Sequence, residues 1–81
     1  MNLWLIEVDV NNILCKPDTK IRRLVVQAKT EDRAKTIATN KLHKHYPEAE
    51  RYCAWGEVYQ MLSVTRLIVL DENEERVIHF Y

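Results

Sequence analysis

The sequence predicts an α+β domain, with a single antiparallel sheet of four to five strands and one helix packed on one face, ordered ββαββ or ββαβββ. Three observations predict it. The stretch LWLIEVDV alternates apolar and acidic residues at the period of a half-buried strand. VVQAKTEDRAKTIATNKLHKHYP runs from β-branched residues into a capped, helically periodic stretch that ends at a proline. Two further β-rich stretches then lie on either side of the polar segment DENEE.

In the first strand, Leu3 to Val10, Trp4, Ile6, Val8 and Val10 share one face and Glu7 and Asp9 the other. NNILCKPDTK follows as a loop rich in turn residues, with Ile13 and Leu14 directed inward. IRRLVVQA, Ile21 to Ala28, is the second strand, with a bulge or register change near Arg22 and Arg23, and pairs with the first as a hairpin. Thr30 is placed to cap a helix, since its hydroxyl can accept from a free N–H of the first turn, where Glu31 and Asp32 meet the positive end of the helix dipole. Ala34, Ile37, Ala38, Leu42 and either His45 or Tyr46 recur at core spacing, Lys41, Lys44 and the histidines occupy the last turns, and Pro47 stops the helix.

EAERYCAWG reads as an ordered connection with Tyr52 and Trp55 as packing groups. EVYQMLSVTRLIVL, Glu57 to Leu70, is too long for a simple strand and reads as one bent strand or two broken near Ser63. DENEE is a turn, and Arg76 to Tyr81 returns as the last strand in a hairpin with about Arg66 to Leu70. A ferredoxin-like domain would need a second helix between the later strands, and none is legible.

The 81 residues suffice for one domain, 1–81, with no linker or repeat. With 47% hydrophobic and 30% charged residues the chain is built to fold. Its 12 basic and 12 acidic residues cancel, so only local patches can direct a charged partner. The single glycine, Gly56, excludes a glycine-rich phosphate cradle. The N-terminal segment lacks the basic start of a signal peptide, and no run approaches a membrane span, which points to a cytoplasmic protein without a membrane partner. Cys15 and Cys53 form no CxxC pair and read as buried or incidental thiols.

The residues that could carry chemistry are few. His43 and His45, two apart on a helix, point to different sides and cannot chelate one ion together, so a plain helix terminus is the simpler interpretation. His79 reads as a half-buried packing residue in the last strand. Ser63 and the cysteines have no neighbouring base and orienting group, so no enzyme and no cofactor is expected. The four carboxylates of DENEE are either a solvated turn or an acidic knob that docks on a basic groove or mimics phosphates. Two basic groups remain: Lys16, Lys20, Arg22 and Arg23 around the first hairpin, and Arg33, Lys35, Lys41 and Lys44 on the helix flanks. They are either balanced surface charge or a positive face for nucleic acid or an acidic protein. Few aromatic residues interleave them, which argues against a single-strand stacking platform.

Within Ile21 to Ala38, the pattern A-x-T-x-x-x-A-K-x-I-A is met by Ala28, Thr30, Ala34, Lys35, Ile37 and Ala38. This segment resembles that of small phage-encoded anti-CRISPR proteins of the type I-F inhibitor group. The resemblance implies a curled antiparallel sheet holding one helix, in a non-enzymatic inhibitor acting inside an infected bacterial host. Its implied partner is a host defence complex, the RNA-guided surveillance complex, whose nucleic-acid path it would occlude. Lys35 matches the family by position, whereas Thr36 and Asn40 stand where the family has further basic residues, with Lys41 beside the second. The expected binding residues are Arg33, Lys35, Lys41 and Lys44, with Arg22 and Arg23 as a second patch. The alternatives are a direct nucleic-acid binder or host-takeover regulator, and a module whose edge strand pairs with its twin, so the chain is expected as a monomer or homodimer.

Overall fold

A computed structural model of the chain describes residues 1–10, 21–51, 54–69 and 74–81, apart from the Trp55 side chain. The expected loop 11–20, both cysteines, Tyr52, the packing of Trp55 and most of DENEE lie outside the described residues.

Strands β1 (Asn2–Asp9) and β2 (Ile21–Ala28) form the expected antiparallel pair, in unbroken register from Asn2 opposite Ala28 to Asp9 opposite Ile21. Alternation sends Trp4, Ile6, Val8, Leu24 and Val26 to one buried face. The Trp4 indole N–H donates to the Ala28 carbonyl at 3.1 Å, so the ring is buried with its polar atom satisfied. The bulge expected near Arg22 and Arg23 is absent from this ladder. The pleat accommodates two consecutive arginines by turning them to opposite faces: Arg22 lies against Phe80, and Arg23 ion-pairs with Glu7 at 2.9 Å. Register shifts fall instead where the outer strands join, between Leu3 and Trp4 and between Val25 and Val26.

Helix α1 (Glu31–His45) starts as its sequence dictates. Thr30 is extended (φ −132°, ψ 163°), and its Oγ1 accepts from the Arg33 N–H at 3.2 Å. Ala34, Ala38 and Leu42 are buried, and small alanines let the helix axis approach the sheet closely. Ile37 and Tyr46 pack at the margin, whereas His45 is exposed, so Tyr46 closes the stripe. The stripe is wider than its aliphatic residues show: Thr39 and His43, one turn apart, are also buried. The flank they occupy is covered by a 3-10 turn (Pro47–Arg51) and by helix α2 (Trp55–Gln60), which bury Ala49 and Val58.

Helix α2 corrects the expectation of a long or broken strand from Glu57. Val58 and Leu62 are buried one turn apart, so this segment follows helical rather than strand spacing. Strand β3 (Ser63–Val69) begins only after it, and this six-residue helix lies before the later strands rather than between them, packed on α1. The expected hairpin between the last two strands is also overturned. β3 pairs with β1 and β4 (Arg76–Phe80) with β2, giving the order β3-β1-β2-β4 with the last two strands on opposite edges.

The reason is steric and energetic. The apolar β1–β2 pair offers two open edges, and filling both completes the ladders of the most buried strands. The edges are about 14 Å apart, three strand spacings, and the six residues between Val69 and Arg76 can reach roughly 20 Å. The crossing is tied to the end of β2: buried Gln27 donates to the Glu74 carbonyl at 2.8 Å, and the Lys29 N–H to Glu75 Oε2 at 3.2 Å. The result is one four-stranded antiparallel sheet with α1 across one face. Among the described residues no helix is long and apolar enough to cross a membrane.

Candidate functional site

The expected binding residues separate into three environments. On the first turns of α1, Arg33 is exposed but engaged, 3.1 Å from Glu75 Oε1. The Lys29 N–H and then the Arg33 guanidinium hold the Glu75 carboxyl below the ordinary glutamate range, since both donate to its ionised form. Lys35 lies on the other flank, its Nζ 5.0 Å from the Tyr59 ring centroid. The Tyr59 hydroxyl donates to Asp32 Oδ1 at 2.9 Å, and this bond above all raises its pKa above the ordinary phenol value. Arg23 lies on the far face of the sheet with Glu7, so Arg22 and Arg23 do not form one patch.

The third environment joins the two sets that were separate in sequence. Phe80, at the end of β4, sits between β2 and the C-terminal half of α1. Arg22 Cζ is 4.2 Å from its ring centroid, Lys41 Nζ is 6.0 Å away, and the His45 ring lies 4.9 Å away at a tilt of 59°. His45 also meets Tyr46 edge-on at 4.6 Å. Lys44 is exposed on the same last turns. Among the described residues none of Arg22, Lys35, Lys41 and Lys44 takes part in an ion pair, whereas Arg33 and Arg23 do. The Arg22 Nε is buried without a hydrogen-bond partner there, so the ring fixes the guanidinium and dries its inner nitrogen.

Phe80 was not foreseen, and the geometry explains why. Strict alternation along β4 places Phe80 with Arg76 and Ile78, away from Val77. The bulge at Ile78 returns both Val77 and Phe80 to the helix side, opposite Val26 and Leu24. His79, expected half-buried, is exposed on the other face against Tyr81, with ring centroids 4.1 Å apart.

Thr36 and Asn40 border a separate cleft of about 270 Å³ between α1 and α2, together with Thr39, Gly56 and Tyr59. His43 is buried and His45 exposed, on different sides of α1, and the described residues hold no group of three His, Cys, Asp or Glu side chains that could bind a metal ion. No protein-family model, curated protein or solved structure matches the chain.

Proposed function

We propose that this chain is a non-enzymatic binding protein that docks through the cations of α1 and β2 gathered at Phe80. The observation that carries the proposal is the convergence of Arg22, Lys41 and His45 on that ring, with no ion pair to Arg22 or Lys41 among the described residues. Cations positioned on an aromatic ring keep their charge available to an anionic partner while their side chains are already ordered, which lowers the entropy cost of binding. Lys44, and Arg33 at its rim, extend this surface along the helix, and Lys35 forms a separate flank. The partner suggested by the resemblance is an RNA-guided surveillance complex, whose nucleic-acid path the chain would occlude as a phage-encoded inhibitor.

The second reading, direct nucleic-acid binding, draws on the same cations. The ring geometry favours the protein-directed one. Arg22 and His45 already lie against Phe80, which leaves it poorly placed to stack a base.

The test measures binding of the purified chain to a purified type I-F surveillance complex and, separately, to free duplex and single-stranded DNA across salt concentrations. Expected are binding to the complex, loss of target-DNA pairing, and at least about tenfold weaker binding by Arg22→Glu and Lys41→Glu. Affinity for free DNA that falls steeply with salt, without binding to the complex, overturns this reading in favour of the direct binder. Binding that survives both charge reversals overturns the residue assignment.

A further inference from the structure

The sheet face away from α1 has the composition of an interface. Its middle row runs Thr65, Leu5, Val25, His79 across the four strands, and the next row runs Ile68, Leu3, Gln27, Arg76. Leu3, Leu5 and Val25 are half-buried, while Ile68 and Tyr81 are 53% and 59% exposed. An antiparallel sheet can present a wet face, but that face is then polar at alternate positions. Here Leu3, Leu5 and Val25 are apolar at the centre, Gln27 beside them is buried with its amide on the Glu74 carbonyl, and charge is confined to the two ends of the strands.

We propose that a second copy of this chain covers this face, so that two sheets stack about 10 Å apart with both α1 helices outside. Charge selects the occupant. The outward positions carry Glu7, Asp9, Arg23 and Arg76, two acids and two bases, with Glu7 and Arg23 already paired. A face without net charge does not repel its own copy across a two-fold axis, and it offers nothing to a polyanion. Area is sufficient. Four strands of about seven residues project roughly 450 Å² per copy, and side-chain relief raises two such faces to the order of 1,000 Å² that a specific contact requires. Edge-to-edge growth is disfavoured, since both outer strands depart from regular pairing: β3 at Leu67 and β4 at Ile78. This surface lies across the sheet from the Phe80 cluster, so the two proposals fail or stand separately.

Sedimentation equilibrium of the purified chain, up to about 100 μM, tests it. Wild type is expected to dimerise. Ile68→Glu and Thr65→Arg, both at exposed positions, are expected to weaken the dimer at least about tenfold while far-UV circular dichroism and thermal midpoint stay unchanged. A wild type that remains monomeric throughout overturns the proposal, as does a dimer untouched by both variants. A dimer broken by Val69→Pro but by neither face variant also overturns it, because the contact is then along the β3 edge.

Discussion

The two halves of α1 are held to the sheet by different means. The N-terminal half is clamped by polar bonds: the Thr30 cap, the Arg33–Glu75 ion pair, and the Tyr59–Asp32 bond from α2. The C-terminal half has a longer polar contact, His43 Nδ1 4.0 Å from Glu50 Oε1. Leu42 is buried beneath it, and its cations gather on Phe80. In the first half, then, Asp32 and Arg33 are engaged in holding the fold. In the second, apolar packing holds the fold and leaves charge for a partner. Lys35 and Arg33 look equivalent to Lys41 and Lys44 in the sequence, but the structure gives them different surroundings.

The largest test of this contrast is Leu42→Ala. Leu42 is 1% exposed, and its truncation is expected to cost about 2–5 kcal/mol, roughly 10 °C or more in thermal midpoint for a domain this small. Urea unfolding measures it, and a cost under about 1 kcal/mol would show that the C-terminal half does not depend on packing. Thr30→Ala, at the opposite end, is expected to cost about 1 kcal/mol, with Thr30→Asp restoring most of it. An unchanged midpoint in Thr30→Ala would remove the cap from the list of clamps.

Smaller still is the coupling of Arg22 to Phe80. A double-mutant cycle of Arg22→Gln and Phe80→Leu is expected to return about 0.5–1 kcal/mol in stability, since leucine keeps the apolar bulk and removes the ring's negative face. Additive costs would mean that Phe80 only fills space. The site would then be a set of unrelated surface cations.

The contrast also marks what could be read in advance. β1, β2 and α1 were legible because each follows its own local rule: alternation, a β-branched run, a cap followed by core spacing. The pairing of β3 and β4 was not, because strand partners are chosen by the open edges of the β1–β2 pair rather than by proximity along the chain. Nor was α2, since a six-residue helix carries barely one period of pattern, and its Val58 and Leu62 lie in a run rich in β-forming residues. At the candidate site the cations were legible but their grouping was not. Arg22 and Lys41 meet only because a bulge turns Phe80 inward.

The smallest effect separates the halves by pH. The Glu75 carboxyl is held below its ordinary value by the Lys29 N–H and Arg33, so the folded state favours its charge. A depressed carboxyl contributes stability that is fully present above the unfolded value, near 4.5, and is lost as pH falls through the folded one. Tyr59 has the opposite sign. Its phenol is raised, chiefly by donating to Asp32, so its contribution is present below the ordinary phenol value and disappears as pH rises through the folded one. Glu75→Gln is therefore expected to flatten the acid limb of the stability curve, and Tyr59→Phe the alkaline limb, each leaving the other limb in place. Both effects are exposed to solvent and should shrink with added salt. Hydrogen exchange resolved by residue locates them. Acid should loosen the first turns of α1, near Arg33, before the turns around Leu42, because the clamps there titrate and the packing below Leu42 does not. Loosening that begins around Leu42 would reverse the assignment of polar clamps to one half and packing to the other.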